Sequence, residues 1–211
     1  MPKRPEEYFA KVVLESYFPE LYVNLQVTDK PDLQDLTHNI GIEVTNAEPE
    51  KHQRLTSCWL KALYSQNEKV REKCKACMLQ KDDVPFQGVV QNMGVIYIED
   101  LASIIKTAFC KKLEKLQNKD FRKFQQNDLF ILTEVIFSKL NFEDINSPDD
   151  YLDFMIQNNN RETNKFDFVY FKLVGSVCQF NLKEKKYRIV DYNNGAVVNK
   201  ANTIMEYYNY E

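Results

Sequence analysis

The chain has 211 residues, of which 44% are apolar and 28% charged, with 28 Lys and Arg against 31 Asp and Glu. That length suits one ordinary domain, or one with a long insertion, and supplies enough apolar side chain for a sizeable core. The formal net charge of -3 excludes a chain-wide basic protein, 5 Gly and 7 Pro exclude a collagenous or linker-rich chain, and no apolar run nears the roughly 18 residues of a membrane helix.

In chain order, Pro5 followed by Glu6 and Glu7 marks a helix start, with Pro at the first position and acids at the positive end of the dipole. Tyr8, Phe9, Val12, Val13 and Tyr17 continue at helical spacing, and Pro19 ends the helix. Leu21, Val23, Leu25 and Val27 alternate, which predicts a strand over 21–28. Residues 31–36 form a short extended segment. Ile40, Ile42 and Val44 alternate with Gly41, Glu43 and Thr45 as a third strand. A long helix is expected over 50–80, irregular chain over 81–98 with a strand-like piece at 95–98, and a second helix over 100–117. The near-continuous apolar run after Asp128 predicts a strand buried on both faces over 128–137. A helix before such a strand suggests a right-handed crossover to a parallel partner, so residues 129–136 should lie beside 40–45 in the sheet centre. Ser147, Pro148, Asp149 and Asp150 start a helix over 148–157. Strands are expected over 166–173, 177–182 and 186–192, a turn at Asn193, Asn194 and Gly195, and a short last helix over 200–208. The fold class is therefore α/β, one domain with a central mixed sheet and additional C-terminal strands over 147–211. Residues 50–98 read as a helical insertion.

The basic start lacks an apolar segment behind it, so no secretory signal is expected. An odd set of cysteines (Cys58, Cys74, Cys77, Cys110 and Cys178), four of them in helical stretches, points to free thiols and a cytoplasmic location, with no membrane partner. Cys74 and Cys77 form a C-x-x-C. Zinc would need further ligands such as Cys58 or His52, and two small residues packing a helix face are the plain alternative.

The stretch around Pro31, Asp32, Glu43, Val44 and Thr45 carries the chemistry. Glu43 and Thr45 share one face of a strand, while Ile42 and Val44 turn into the core. Hairpin pairing can bring the Asp32 carboxylate beside that of Glu43. Two such carboxylates suit a hard cation such as Mg²⁺, which keeps several waters. The plain alternatives are a turn aspartate after Pro31 and an outward-facing strand carboxylate.

At these residues the chain resembles the PD-(D/E)XK nuclease superfamily, whose restriction-endonuclease-like fold runs helix, three-strand meander, helix, strand. The resemblance covers about residues 5–46 and, more loosely, 100–137. It implies a metal-dependent hydrolase of DNA or RNA phosphodiesters, with Mg²⁺ (or Mn²⁺) held by Asp32, Glu43 and the Val44 carbonyl. Glu7 or Glu15 of the first helix would join them in the family pattern, against an ordinary first-turn role for Glu7. The family's strand lysine is Thr45 here, which can hydrogen-bond a water but brings no charge. Lys112, on the border of the second helix, and Lys51 are candidates for a relocated lysine. Without one, the reading becomes a catalytically inactive module that binds nucleic acid or a protein partner; a homodimer is a further option. Two basic stripes, one of six bases against two acids over 61–81 and one of the same balance over 111–123, suit a phosphate backbone or an ordinary solvated face. The aromatic strands over 166–192 are expected as core, with a base-stacking platform as the alternative. His38 and Asp35 are expected at a hairpin turn.

Overall fold

The computed structural model describes residues 4–47, 65, 67–79, 85–86, 89–90, 98–133 and 147–209. Its chain divides into two compact units, residues 1–47 with 105–211 and residues 48–104. The second unit contains α2 (Glu68–Leu79) and a hairpin of β4 (Pro85–Phe86) and β5 (Val89–Val90). The insertion expected over 50–98 falls within it. The expected helix residues 50–64 and the strand-like residues 95–97 lie outside the described residues, while Ile98 opens a helix.

The first unit holds α1 (Pro5–Tyr17), β1 (Gln26–Val27), β2 (Leu33–Asp35), β3 (Ile40–Asn46), α3 (Ile98–Gln117) from Ile105 on, β6 (Gln126–Leu132), α4 (Pro148–Asn159), β7 (Phe168–Leu173), β8 (Ser176–Asn181), β9 (Lys186–Asp191) and α5 (Asn194–Asn209). The seven strands form one mixed sheet in the order β1-β2-β3-β6-β7-β8-β9. β6 runs parallel to both β3 and β7; the other pairs are antiparallel. It is the middle strand, and Leu129, Phe130 and Ile131 are fully buried, as a strand covered on both faces requires. Residues 134–137 of the expected strand lie outside the described residues.

Ile40, Ile42 and Val44 turn toward α1 and join Tyr8, Val12, Val13 and Phe18 in the main apolar cluster. Val197 and Ala201 of α5 belong to the same cluster, so α1 and α5 cover one face. On the other face Ile105, Phe109, Leu113 and Leu116 line the buried side of α3. Phe109 stands edge-on to Phe154 of α4 at 6.3 Å.

Several local expectations are corrected. Only Gln26 and Val27 of residues 21–28 form a strand. Leu21 and Tyr22 donate back to the Phe18 carbonyl at 3.0 and 3.1 Å, which turns the chain. That turn buries Tyr22 and leaves Val23 59% exposed, which breaks the alternation read from the sequence at this point, while Leu25 and Val27 are buried as that alternation requires. The turn expected at Asn193, Asn194 and Gly195 is a helix start. Asn193 caps α5, its Oδ1 accepting from the Ala196 N–H at 3.0 Å, so the helix starts earlier than residue 200. The aromatic strands form no platform, since Phe166, Tyr170, Phe171 and Phe180 are buried. Ser147 caps α4, ahead of Pro148, as expected.

Gly41 is required by packing. A Cβ there would stand 2.5 and 2.9 Å from the Phe124 ring and 2.8 Å from Pro31 Cγ. Gly41→Ala is expected to lower stability by about 1–3 kcal/mol, the usual cost of overpacking. Urea unfolding checks this, and a midpoint equal to the parent's would refute the close contact.

Candidate functional site

The hairpin of β2 and β3 sets the site. Leu33 pairs with Ile42, so Asp32, one step before β2, lies across from Glu43. Both are buried, Asp32 at 6% exposure and Glu43 at 2%. Asp32 Oδ2 accepts the Val44 N–H at 2.7 Å, which locks its carboxylate against β3. Burial raises the Asp32 carboxyl above its ordinary range, and the Glu43 charge pushes the same way. The Val44 N–H, Lys112 and Arg4 oppose that rise.

Glu43 Oε2 receives two ammonium groups from α3, Lys112 Nζ at 2.6 Å and Lys115 Nζ at 2.7 Å. Lys112 also donates to the Val44 carbonyl at 3.2 Å. The two lysines lie three apart on a helix, hence on one face. Lys112 thus meets Glu43 and the main-chain carbonyl beside it, although its Cα belongs to a helix and not to β3. Glu43 Oε1 is buried and has no hydrogen-bond partner among the described residues.

Arg4 approaches from the start of α1, its guanidinium 3.6 Å from Asp32 Oδ1. Glu7, at the third helical position, accepts from the Arg4 backbone N–H at 3.2 Å and from Arg4 Nε at 3.0 Å. Glu7 therefore closes the helix start and reaches Asp32 only through Arg4. Glu15 is engaged elsewhere, accepting from Lys11 and the Leu25 N–H. Thr45 is half-buried on the Glu43 side of β3. Lys51, Cys58 and His52 lie outside the described residues, as does the Cys77 side chain. Cys74 is buried. Asp35 holds the β2–β3 turn, accepting from the Thr37 and His38 N–H groups and pairing with His38 Nδ1 at 2.8 Å.

The residues present offer a hard cation two carboxylates and one carbonyl, all oxygen donors. The orphaned Glu43 Oε1 is an acceptor with a vacant lone pair, and the lysine pair shows that this spot draws positive charge. Those observations fit Mg²⁺ or Mn²⁺. No cluster of three or more His, Cys, Asp or Glu side chains able to hold a metal exists among the described residues, so waters would complete the shell.

Two features escaped sequence reasoning. Lys115 was visible only as one member of a basic stripe, although its spacing from Lys112 was the signal. Asp128 is fully buried, and its Oδ2 accepts from the Tyr22 hydroxyl and from Gln126 Nε2, both at 2.7 Å. The Tyr22 and Tyr170 hydroxyls pair at 2.8 Å, and Gln179 Nε2 donates to Tyr170 at 2.7 Å. Asp128 pairs in register with Ile42, so this chain of hydrogen bonds runs on the face opposite Glu43. No helix among the described residues is long and apolar enough to cross a membrane. Comparison with protein-family models, with curated proteins and with solved structures finds no match to this chain.

Proposed function

We propose that the chain is a metal-dependent phosphodiester hydrolase of restriction-endonuclease-like fold, acting on DNA or RNA. One observation carries the reading: a helix lysine, Lys112, donates both to Glu43, which lies across the hairpin from Asp32, and to the Val44 carbonyl. That supplies, from α3, the charge that Thr45 cannot supply from β3. The order helix, three-strand meander, helix, parallel strand supports the same reading.

In this reading Asp32, Glu43 and the Val44 carbonyl would hold the ion. Mg²⁺ or Mn²⁺ there would lower the pKa of a bound water and neutralise charge on the phosphate. Lys112 orients the attacking water and balances the developing negative charge. Thr45 contributes a hydroxyl to that water. Lys115, the more exposed of the two lysines, is free to leave Glu43 for an incoming phosphate oxygen.

The test is Mn²⁺ titration of the purified protein, with cleavage of labelled DNA and RNA scored in parallel. Lys112→Met is expected to slow cleavage on the order of a hundredfold, as losing one transition-state charge donor does. Thr45→Lys is expected to raise cleavage by restoring a lysine on the strand. A second reading, a silent nucleic-acid-binding module, is favoured by the two ammonium groups that already neutralise Glu43. A protein that binds oligonucleotide but stays inert with Mn²⁺, before and after Thr45→Lys, would establish it.

A further inference from the structure

The face of β3 that carries Glu43 also carries Gly41, roughly 7 Å back along the strand. Phe124 lies against Gly41, beside the step from Pro31 to Asp32. Its backbone is fixed, because the Phe124 N–H donates to Asn127 Oδ1 at 3.1 Å and Asn127 Nδ2 donates to the Phe124 carbonyl at 2.9 Å. Phe121 is buried next to it in the same loop. Each ring carries a cation: Lys115 Nζ lies 5.2 Å from the Phe121 centroid, and the Arg122 guanidinium carbon 4.9 Å from the Phe124 centroid.

These two cations differ in one respect. Lys115 has Glu43 as its counter-charge. Arg122 is exposed, and no carboxylate pairs with it among the described residues. A ring face contributes little to an exposed cation and does not replace an anion. The guanidinium is therefore positioned, costs little further ordering, and has its charge-assisted hydrogen bonds unmade.

We infer that Arg122, seated on the Phe124 ring, binds the polynucleotide phosphate next to the one at the Asp32–Glu43 pair. The ligand class is the phosphodiester backbone, since a planar fork over an aromatic ring meets phosphate oxygens in a bidentate fashion without reading a base. Lys119 and Lys123, near Arg122 in sequence, are exposed as well. The inference rests on the hydrolase reading only for its position beside that pair; a silent module would use the same contact.

The experiment measures binding of a fluorescent oligonucleotide in EDTA, where no cleavage occurs, across a series of salt concentrations. Arg122→Met keeps an apolar stem on Phe124 and removes the charge. It is expected to weaken binding five- to tenfold at low salt and to reduce the salt slope by about one. Its Mn²⁺ binding, followed by electron paramagnetic resonance, should equal the parent's. Lys165→Met, an exposed lysine after α4, is the control and should change neither. An Arg122→Met protein that binds oligonucleotide like the parent, or a parent that binds none, overturns the inference. A parent that binds oligonucleotide through Arg122 but takes up no Mn²⁺ supports it and overturns the hydrolase reading instead.

Discussion

Glu43→Ala is expected to abolish Mn²⁺ binding and metal-dependent cleavage together, and to lower stability by about 3 kcal/mol. The first effect follows because one of only two carboxylates is removed. The second follows because Lys112 and Lys115 both point at Glu43 Oε2, at 2.6 and 2.7 Å. Removing the anion leaves two ammonium groups facing each other in a partly buried space, and breaking such a pair on one side is costly. Lys115 can turn to water, which limits the loss. A variant that also carries Lys112→Met and Lys115→Met is expected to regain stability to within about 1 kcal/mol, because apolar replacements of a whole ion cluster are often neutral. It should still bind no metal. Asp32→Asn provides the complementary case: it keeps an oxygen acceptor for the Val44 N–H and so keeps the fold, yet loses the ion. Chemical denaturation and paramagnetic resonance separate the outcomes. Retained Mn²⁺ binding in both single variants would locate the ion elsewhere.

Asp128 is expected to make the protein less stable at pH 8 than at pH 5, by about 2–3 kcal/mol through this one group. Burial pushes its carboxyl up to about 7, with the Asp167 charge adding to it, against hydrogen bonds from Gln126, Tyr22 and the Phe168 N–H. The folded chain therefore keeps a proton that the unfolded chain releases above its ordinary carboxyl value. The contribution is complete below that value and is lost as pH rises through about 7. Asp128→Asn should remove this share of the pH dependence. It still offers an acceptor to the Phe168 N–H, which bonds Asp128 Oδ1 at 3.0 Å. Urea midpoints of both proteins at the two pH values, at fixed salt, make the comparison. An asparagine variant with the parent's full pH dependence would assign the effect to other groups.

The parts of the fold legible in the sequence were those set by short-range pattern. Alternation in Ile40, Ile42 and Val44 gave the faces of β3, and hence the side on which Glu43 lies. The apolar run after Asp128 marked a strand buried on both faces, and a preceding helix made its partner parallel. Lys112 stood out as a base at the border of an apolar stripe. The features that were not legible depend on distant partners. Tyr22 turns inward because its hydroxyl meets Asp128 and Tyr170, 106 and 148 residues along the chain. No local period encodes that. Asn193 reads equally well as a turn residue or a helix cap, because its short side chain serves either backbone geometry. Asp128 was hidden by its place at the polar start of its strand, after Gln126 and Asn127 and just ahead of the apolar run.

The two outer strands of the sheet have a colloidal consequence. β1 exposes a backbone margin of only two residues. β9 is six residues long, but Lys186, Tyr187, Arg188 and Asp191 along it are exposed. A foreign strand docking there would have to bring its own side chains against these charges and strip them of water. Short margins and charged margins are the two devices by which sheets resist templated addition of further strands. Both edges of this sheet thus carry one of those two devices, the short margin at β1 and the charged margin at β9.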